Sequence, residues 1–405
     1  MTKYDRSFWL DEFPSSRIPS HTSYRGSLDA DVVIIGGGLT GCATAYALAA
    51  AGVKPVLLEG ERLGRGGTSF ASGWIADDPG VPFQTVEREI GLRQARRAWQ
   101  AWRRAALDFS TLLRRLEIKC YLTPRGASTV AFTPDEIARL KKDRQARIDA
   151  GLDAMAVNAR AIKADVGLDA GYGLRTREGA TIDPYRACLG LAAAAEERGA
   201  LVFERSPVRR IKFTRKHADV FTADGSIRTR RVLVTTGLPT ALFHSLARHF
   251  WFRTTYMALT DVLPARVRRQ VGPQNFVVRD SASAPHVVRR VGEDRLLVAG
   301  ADSETPPPRQ RDKVVVQRTG QLMYELSTLY PDVSGIQPAY GWAADYARTA
   351  DGLPYIGAHR NFPHHLFAFG GTTQSVTGSY LASRILLRQC SGEMDPADEA
   401  FGFHR

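Results

Sequence analysis

The chain has 405 residues, of which 44% are hydrophobic and 24% are charged, and this is the composition of an ordinary soluble globular protein long enough for two domains. Its formal charge of +13 would favour anionic partners in general, but the arginines are spread along the chain without a zinc-finger or RNA-binding signature, so we expect no nucleic-acid partner. Apolar runs fall short of a membrane span, the N-terminus lacks a signal-peptide pattern, and the four cysteines show no metal or disulfide spacing, which together predict a cytoplasmic protein with no membrane span and no bound metal.

The first predicted elements form a βαβ unit. Residues 31–35 are a continuous apolar, β-branched run, which is typical of a buried parallel strand, and an alanine-rich helix and a second buried strand at 53–60 follow. Between the first strand and the helix lies Gly36-x-Gly38-x-x-Gly41, the dinucleotide-binding fingerprint in its complete context. Gly36 permits the tight turn, Gly38 lets the backbone approach a pyrophosphate, and Gly41 lets the helix pack closely on the strand.

The residues after this unit indicate which dinucleotide it binds. Glu59 ends the second strand, where an acidic side chain takes ribose hydroxyls and argues against a 2′-phosphate. NAD and FAD share the fingerprint. A second glycine-rich, hydroxyl-bearing segment at 63–74 suits a longer cofactor with two ends, because the second half of such a cofactor needs backbone donors of its own.

Further elements follow from the hydrophobic periodicity. They are, in chain order, helices at 91–116, 134–150 and 184–198, a strand at 201–204, a meander over 206–237, a strand-rich region at 251–300, a loop at 306–312 and a helix at 313–330.

The last predicted unit is a strand, a glycine turn and a helix. An apolar strand runs into Gly370 and Gly371, four small polar residues occupy 372–375, and a helix is predicted at 378–390. Backbone N–H groups at such a helix N-terminus favour an electron-rich group, although ordinary helix capping is the alternative interpretation.

The N-terminal motifs over about 28–80, the segment TADGLPYIG at 349–357 and the C-terminal 338–405 together resemble the D-amino-acid oxidase-like FAD-dependent oxidoreductases. The branch with glycine oxidase, sarcosine oxidase and γ-glutamylputrescine oxidase is the most similar. The resemblance implies an α/β fold with a discontinuous Rossmann-type FAD-binding domain and a strand-rich α+β substrate-binding domain. The implied ranges are 1–80, 175–240 and 338–405 for the FAD-binding domain, and 81–174 and 241–337 for the substrate-binding domain.

The resemblance also implies where FAD lies. It places Leu39 and Thr40 at the pyrophosphate, Glu59 and Gly60 at the adenosine ribose, and Val208 at the adenine. Residues 67–74 then follow the ribityl chain and the flavin edge, and 370–376 lie at the pyrimidine side. The expected FAD contacts are Gly36, Gly38, Leu39, Thr40, Gly41, Glu59, Gly60, Arg62, Gly67, Thr68, Ser72, Gly73, Trp74, Val208, Gly237, Gly370, Gly371, Thr372, Thr373, Gln374 and Ser375.

For this class of enzyme the resemblance implies oxidation of a C–N bond, with hydride transfer to flavin N5. Relatives of the glycine oxidase type hold the substrate carboxylate with an arginine, but here Tyr346 stands at its place and Thr373 replaces a second arginine. We therefore expect an amine or amino-acid-like substrate that is not a simple α-amino acid. Arg348, Tyr256 and Trp342 are, with Tyr346, the candidate pocket residues.

Two further departures concern the cofactor. No cysteine lies near 346–357, where sarcosine oxidases attach flavin, so we expect non-covalent FAD. Arg253 replaces the lysine with which some relatives activate oxygen, so O2 and another electron acceptor both stay open. Since relatives commonly have glycines at 372–375, we also expect this loop to hold FAD while its side chains alter specificity.

Two other functions are compatible with the same scaffold. One is a flavoenzyme that oxidises a C–C or C–O bond in a biosynthetic pathway. The other is a non-catalytic subunit that binds FAD structurally or has lost it.

Overall fold

The computed structural model describes residues 1–272, 275–282, 284–292, 294–371, 376–393 and 395–405. The helices are α1 (Phe8–Asp11), α2 (Leu39–Ala50), α3 (Phe83–Ile90), α4 (Leu92–Arg115), α5 (Pro134–Asp149), α6 (Ala159–Val166), α7 (Pro184–Glu196), α8 (Ala265–Gln270), α9 (Arg311–Leu329) and α10 (Thr377–Ser391). The strands are β1 (Lys3–Tyr4), β2 (Gly26–Ile35), β3 (Val56–Leu58), β4 (Trp74–Ile75), β5 (Thr123–Pro124), β6 (Ala127–Ala131), β7 (Met155–Asn158), β8 (Tyr172–Arg175), β9 (Ala180–Thr181), β10 (Leu201–Phe203), β11 (Arg210–Phe213), β12 (Ala218–Phe221), β13 (Gly225–Gly237), β14 (Trp251–Thr260), β15 (Val277–Asp280), β16 (Val287–Val291), β17 (Arg295–Glu304), β18 (Pro338–Arg348), β19 (Tyr355–Ala358) and β20 (His365–Phe369).

The helices predicted from periodicity form close to their expected bounds, which confirms them. The charged helix α5 begins where Thr133 and Glu136 form a reciprocal capping box, which satisfies backbone N–H groups at its start. One boundary differs: α9 begins at Arg311, inside the segment predicted as a loop, because a 3-10 turn at Pro308–Gln310 leads directly into it. Among the described residues, no helix has both the length and the apolar character needed to cross a bilayer.

The smaller of the two main sheets contains the predicted βαβ unit. Strands β10, β3, β2 and β13 are neighbours in that order and run parallel, and β20 lies parallel to the second half of β13. The meander β11–β12–β13 continues the sheet with antiparallel pairing. Because β2, β13 and β20 are parallel, their carboxyl ends meet at the same edge of this sheet.

The larger sheet has the strand order β1-β18-β14-β17-β16-β15-β6-β8-β7. Strand β18 pairs along its whole length with β14, so this part of the range 338–405 belongs to the larger sheet. The domain boundaries that the family resemblance implies stay a prediction. A small sheet, β4-β9-β5, holds Trp74 in place beside the larger one.

The strands at the centre of the larger sheet are buried on both faces. On one face, Tyr256 of β14 packs with Leu322 of α9 in a separate core. On the other face, Met257 and Trp342 join a core that also contains Leu381 of α10. Because side chains alternate along a strand, neighbouring residues of β14 serve different cores.

A buried ion network ties this sheet to the segment after Trp74. Arg279 of β15 donates two hydrogen bonds to Asp78, at 3.1 and 3.0 Å, and Arg147 of α5 contacts the same carboxylate at 3.4 Å. Burial alone would raise the pKa of Asp78, but the charges of Arg279 and Arg147 outweigh burial and hold it well below its usual value. The carboxylate is therefore ionised in the folded protein at neutral pH.

We expect Asp78→Asn to lower the free energy of unfolding at pH 7 by about 3–5 kcal/mol, because it leaves two buried arginines short of a counter-charge. The pKa of Asp78 is depressed in the folded protein. The stabilising contribution of its carboxylate is therefore complete above the unfolded-state pKa of about 3.9 and is lost progressively as the pH falls below that value. Denaturant titrations from about pH 5 to about pH 2 should show the difference between wild type and variant shrinking.

Asp169→Asn is the matched control, because Asp169 is exposed and pairs only with the exposed Lys163 among the described residues. It should change stability by less than about 1 kcal/mol at any of these pH values. A pH-independent difference between Asp78→Asn and wild type would contradict the electrostatic origin of the effect.

Candidate active site

The carboxyl ends of β2, β13 and β20 border a cavity of about 220 Å³, which β18 of the larger sheet closes from the other side. Gly38, Gly237, Gly370 and Gly371 are among its lining residues. The Gly370 N–H donates a hydrogen bond to the Gly237 carbonyl at 3.0 Å. The turn that contains Gly38 and the turn at Gly370 and Gly371, which are more than 300 residues apart in the sequence, thus face the same cavity.

The N-termini of two helices also converge on this cavity. The first turn of α2 contributes Leu39 and Thr40 to the lining, and the first turn of α10 contributes Gly378 and Ser379. The Thr40 hydroxyl donates to the Ser379 hydroxyl at 3.0 Å, so the two turns are in contact. Both helix dipoles therefore present their positive ends to the cavity, which favours an anionic group there.

The fingerprint glycines are required by the packing of α2 on β2. Gly36 has a φ of +107°, which favours glycine. A Cβ on Gly41 would stand 1.8 Å from the Gly36 carbonyl oxygen, so only glycine allows the helix this close to the turn. Thr68, from the second glycine-rich segment, accepts a hydrogen bond from the Leu39 N–H at 2.8 Å. The two segments are thus joined at the cavity.

The residues expected at the adenosine end lie together. Glu59 accepts hydrogen bonds from the backbone N–H groups of Gly37, at 2.6 Å, and Glu61, at 2.8 Å, so its carboxylate is fixed beside the first turn. Gly60 is exposed and packs near Pro207, and the half-buried Val208 follows Pro207 directly. Arg62 is half-buried on the same loop.

The segment 63–74 is anchored by side chains from both ends of the chain. The Trp9 indole donates to the Ala71 carbonyl at 2.9 Å, and the Trp342 indole donates to the Phe70 carbonyl at 3.1 Å. The Ser7 hydroxyl contacts the Ser69 carbonyl. Trp342, a candidate pocket residue, is fully buried and supports this segment.

Part of the segment 63–74 borders the cavity. Gly67, Thr68 and Ala71 line it, whereas Ser72, Gly73 and Trp74 are buried and are not among its described lining residues.

A buried cation that the sequence did not reveal lies under Gly73. Arg289 of β16 donates to the Gly73 carbonyl at 3.0 Å and to the Ile182 carbonyl at 3.3 Å. Burial lowers the pKa of Arg289 to about 9, although the charge of Asp183 opposes the shift. Arg289 lies in the run VVRRV, which indicates a strand and gives no signal of a special role.

The candidate substrate residues do not all lie together. Tyr346 lines the cavity, and its hydroxyl donates to Asp302 Oδ2 at 2.5 Å. Burial and the neighbouring Asp302 raise the pKa of Tyr346 well above its usual value, so it is a hydrogen-bond donor at neutral pH. Arg348 is exposed at the end of β18, two residues from Tyr346.

Tyr256 lies on the opposite face of the larger sheet from Tyr346. It pairs with Ala343, an odd number of residues from Tyr346, and its hydroxyl contacts Ser303 at 3.0 Å in the core under α9. The structure therefore separates Tyr256 from the cavity. Asp302, which the sequence analysis missed in the run AGADSE, takes its place beside Tyr346.

The four residues expected to complete the C-terminal turn, Thr372, Thr373, Gln374 and Ser375, lie outside the described residues. The turn is described up to Gly371, which has a φ of +111°, and from Val376, whose N–H donates to the Trp74 carbonyl at 2.9 Å. The role of residues 372–375 in specificity therefore stays a prediction.

Comparison with known proteins gives consistent matches over nearly the whole chain. Residues 31–389 match the family described as FAD dependent oxidoreductase (DAO). The chain is 25% identical over 402 residues to gamma-glutamylputrescine oxidoreductase of Escherichia coli K12, covering 98% of this chain and 92% of the relative. It is 24% identical over 376 residues to glycine oxidase of Bacillus licheniformis, covering 90% and 91%. The crystal structure of L-amino acid deaminase from Proteus vulgaris superposes with a TM-score of 0.78 at 14% identity, covering 96% of this chain and all of that one, which shows the shared fold.

Proposed function

The chain belongs to the DAO family of FAD-dependent oxidoreductases, and from this premise we propose that it oxidises a C–N bond of a small amine or amino-acid-like substrate with non-covalently bound FAD. The observation that carries the proposal is the cavity where two helix N-termini, two glycine turns and Tyr346 meet. A dinucleotide site beside a polar pocket is the arrangement that a flavin oxidoreductase requires.

The residues present fit FAD. Gly38, Leu39 and Thr40 would surround the pyrophosphate at the N-terminus of α2, where backbone N–H groups have no intrahelical partner and that of Leu39 donates to the Thr68 hydroxyl. Glu59 would accept the ribose hydroxyls, and the backbone beside Val208 would meet the adenine. The flavin end would lie along Gly67, with Gly370 and Gly371 on its other side.

Non-covalent binding is supported by the position of the cysteines. Cys42, Cys120 and Cys188 are buried and Cys390 is half-buried, and none of the four is among the described lining residues of the cavity. Flavin should therefore be released, with its ordinary absorbance spectrum, when the purified protein is denatured and filtered.

When bound, FAD supplies the acceptor for a hydride equivalent from the carbon next to the amine. The protein orients the substrate and excludes water. The Tyr346 hydroxyl donates its one proton to Asp302 and so fixes that carboxylate beside the cavity, and the positive ends of α2 and α10 stabilise negative charge in the cavity. Either O2 or another electron acceptor then reoxidises the flavin and completes the cycle.

The printed names of the relatives support the substrate class, since one is an oxidoreductase of gamma-glutamylputrescine and another is an oxidase of glycine. Both names denote compounds with an amine. The tyrosine at position 346 favours an amine or amino-acid-like substrate other than a simple α-amino acid.

The test is anaerobic reduction of the purified holoenzyme with a panel of amines, followed by flavin absorbance. We expect the oxidised flavin band to bleach with at least one amine and to stay unchanged with the matching alcohols. Bleaching by an alcohol alone would favour C–O oxidation, and a protein that takes up no FAD would favour a non-catalytic role. Either outcome would contradict the proposal.

A further inference from the structure

A second cavity, of about 680 Å³, is bordered by the helices α4 and α5 and by the ends of the paired strands β7 and β8. None of its described lining residues also lines the cavity of the candidate active site. Its volume is in the range of pockets that enclose small organic ligands. The proposed function leaves this cavity without a role.

Five arginines line this second cavity, and three of them have carboxylate partners, in the pairs Arg103–Glu178, Arg147–Asp78 and Arg175–Asp165. Asp153 also contacts Arg103, at 3.1 Å, and Asp77 accepts a hydrogen bond from the Glu178 N–H at 3.2 Å. The other two arginines, Arg144 and Arg177, form no ion pair with any residue that the structure describes. Two positive charges at the cavity wall therefore lack a carboxylate partner.

Arg144 and Arg177 are held at the same end of the cavity. Arg144 Nε donates to the Ala154 carbonyl at 3.0 Å, and Arg177 Nη2 lies 3.1 Å from the sulfur of the next residue, Met155. Met155 is opposite Arg175 in the register of β7 and β8, so a third arginine side chain lies on the same face. A guanidinium has five N–H donors, so Arg144 and Arg177 keep donors for an oxyanion after these contacts.

Polar atoms of the lining are also left without a partner. Arg175 Nε and Trp99 Nε1 are buried, and neither has a hydrogen-bond partner in the described part of the chain. Folded proteins satisfy the large majority of such groups, because an unpaired buried donor destabilises the fold. The wall of this cavity therefore lacks acceptors that the chain does not supply.

Apolar side chains complete the lining. Ile148, Leu152 and Met155 border the same cavity, as does the ring of Trp99. Because Arg177 contacts Met155, the cationic and apolar parts of the wall adjoin each other. An anion without an apolar part would leave this apolar surface in water, and an uncharged apolar molecule would leave the two arginines without an acceptor.

We propose that this cavity is a second ligand site, which binds a small organic oxyanion with an apolar body and holds its carboxylate or phosphate group with Arg144 and Arg177. Guanidinium groups bind both kinds of oxyanion through the same paired N–H donors. The inference does not depend on the proposed function, since the two cavities have no described lining residue in common.

The test uses four probes that share a six-carbon chain: hexanoate, hexyl phosphate, hexanol and hexylammonium. Binding of each to the purified FAD-loaded protein is measured by calorimetric titration, and the flavin absorbance spectrum is recorded alongside. We expect at least one of the two oxyanions to bind tenfold or more tightly than hexanol and hexylammonium, without a change in the flavin spectrum. The tighter of the two oxyanions identifies the headgroup as a carboxylate or a phosphate.

The variants Arg144→Gln and Arg177→Gln should each weaken binding of that oxyanion about tenfold or more and leave hexanol binding unchanged, because each removes charged donors. Arg139→Gln is the matched control, since Arg139 is exposed on the same helix as Arg144 and is not among the described lining residues. It should leave all four affinities unchanged. Arg177 is exposed, so its variant stays informative if Arg144→Gln fails to fold.

Failure of both oxyanions to bind the wild-type protein would overturn the proposal, and so would equally tight binding of hexylammonium. Equal weakening by Arg139→Gln would show a general effect of charge and would also overturn it. Oxyanion binding that shifts the flavin spectrum and resists Arg144→Gln and Arg177→Gln would place the anion at the candidate active site instead. A flavin that no amine reduces would reject C–N oxidation and leave this second site standing.

Discussion

Replacing Gly41 with alanine is expected to abolish FAD binding. The new Cβ would stand 1.8 Å from the Gly36 carbonyl oxygen and 2.9 Å from the Thr235 hydroxyl, closer than any real contact allows. The first turn of α2 must then move away from β2, and the backbone N–H groups that face the pyrophosphate move with it. Flavin absorbance per protein after purification, and a titration with added FAD, should show at least about a hundredfold loss of affinity, equivalent to about 2.7 kcal/mol.

Gly320→Ala in α9 is the matched control. Both glycines are inside helices, so alanine brings the same gain in helix propensity, about 1 kcal/mol. Gly320, however, is exposed, and a Cβ there would meet nothing within 4 Å. This variant should bind FAD normally and unfold at an equal or higher temperature. Retention of FAD by Gly41→Ala would contradict the assignment of the α2 turn as the pyrophosphate site.

Replacing Arg405 with alanine is expected to destabilise the protein by about 3–5 kcal/mol, because it leaves a buried carboxylate without its cation. Arg405 and Asp351 form two hydrogen bonds, at 2.6 and 3.1 Å, and both side chains are only 5% exposed. The guanidinium also stacks 4.0 Å from the centre of the Tyr355 ring and donates to the carbonyls of Leu353 and Pro354. Thermal and denaturant unfolding of the holoenzyme would measure the loss.

Because Pro354 lines the cavity, this variant should also hold FAD less tightly. Arg230→Ala is the control, since Arg230 is 81% exposed and only 3.9 Å from the exposed Asp31. An exposed pair of this kind contributes about 0–1 kcal/mol. A similar small effect for both variants would show that the Arg405 pair is not the contact that holds the turn at 349–354.

The sequence was sufficient for the parts of the fold whose signals are local. The buried run 31–35, the glycines at 36–41 and the periodic helices each carry their own pattern, and all form as predicted. The second glycine turn could be connected to the first only through the family resemblance. Nothing in the local pattern of residues 365–371 shows that β20 lies beside β13.

The sequence could not show which charged residues meet, because those contacts join distant strands. Asp302 and Tyr346 are 44 residues apart, and Asp78 and Arg279 are 201 apart. The sequence could not show on which face of the sheet Tyr256 lies, for a related reason. The run RTTYMALT is buried on both sides, so its polarity does not alternate and its two faces look alike in the sequence.

The position of β20 has a consequence for how the protein is made. Strand β13 is complete at Gly237, but its neighbour β20 ends at Phe369, so 132 further residues (369 − 237) must be synthesised before they can pair. At ordinary rates of translation this takes about 7–26 s. During that time the edge of β13 exposes unpaired backbone groups, which is a template for aggregation. Nascent chains should therefore depend on chaperones until β20 emerges, and FAD can be captured only after nearly the whole chain has been translated.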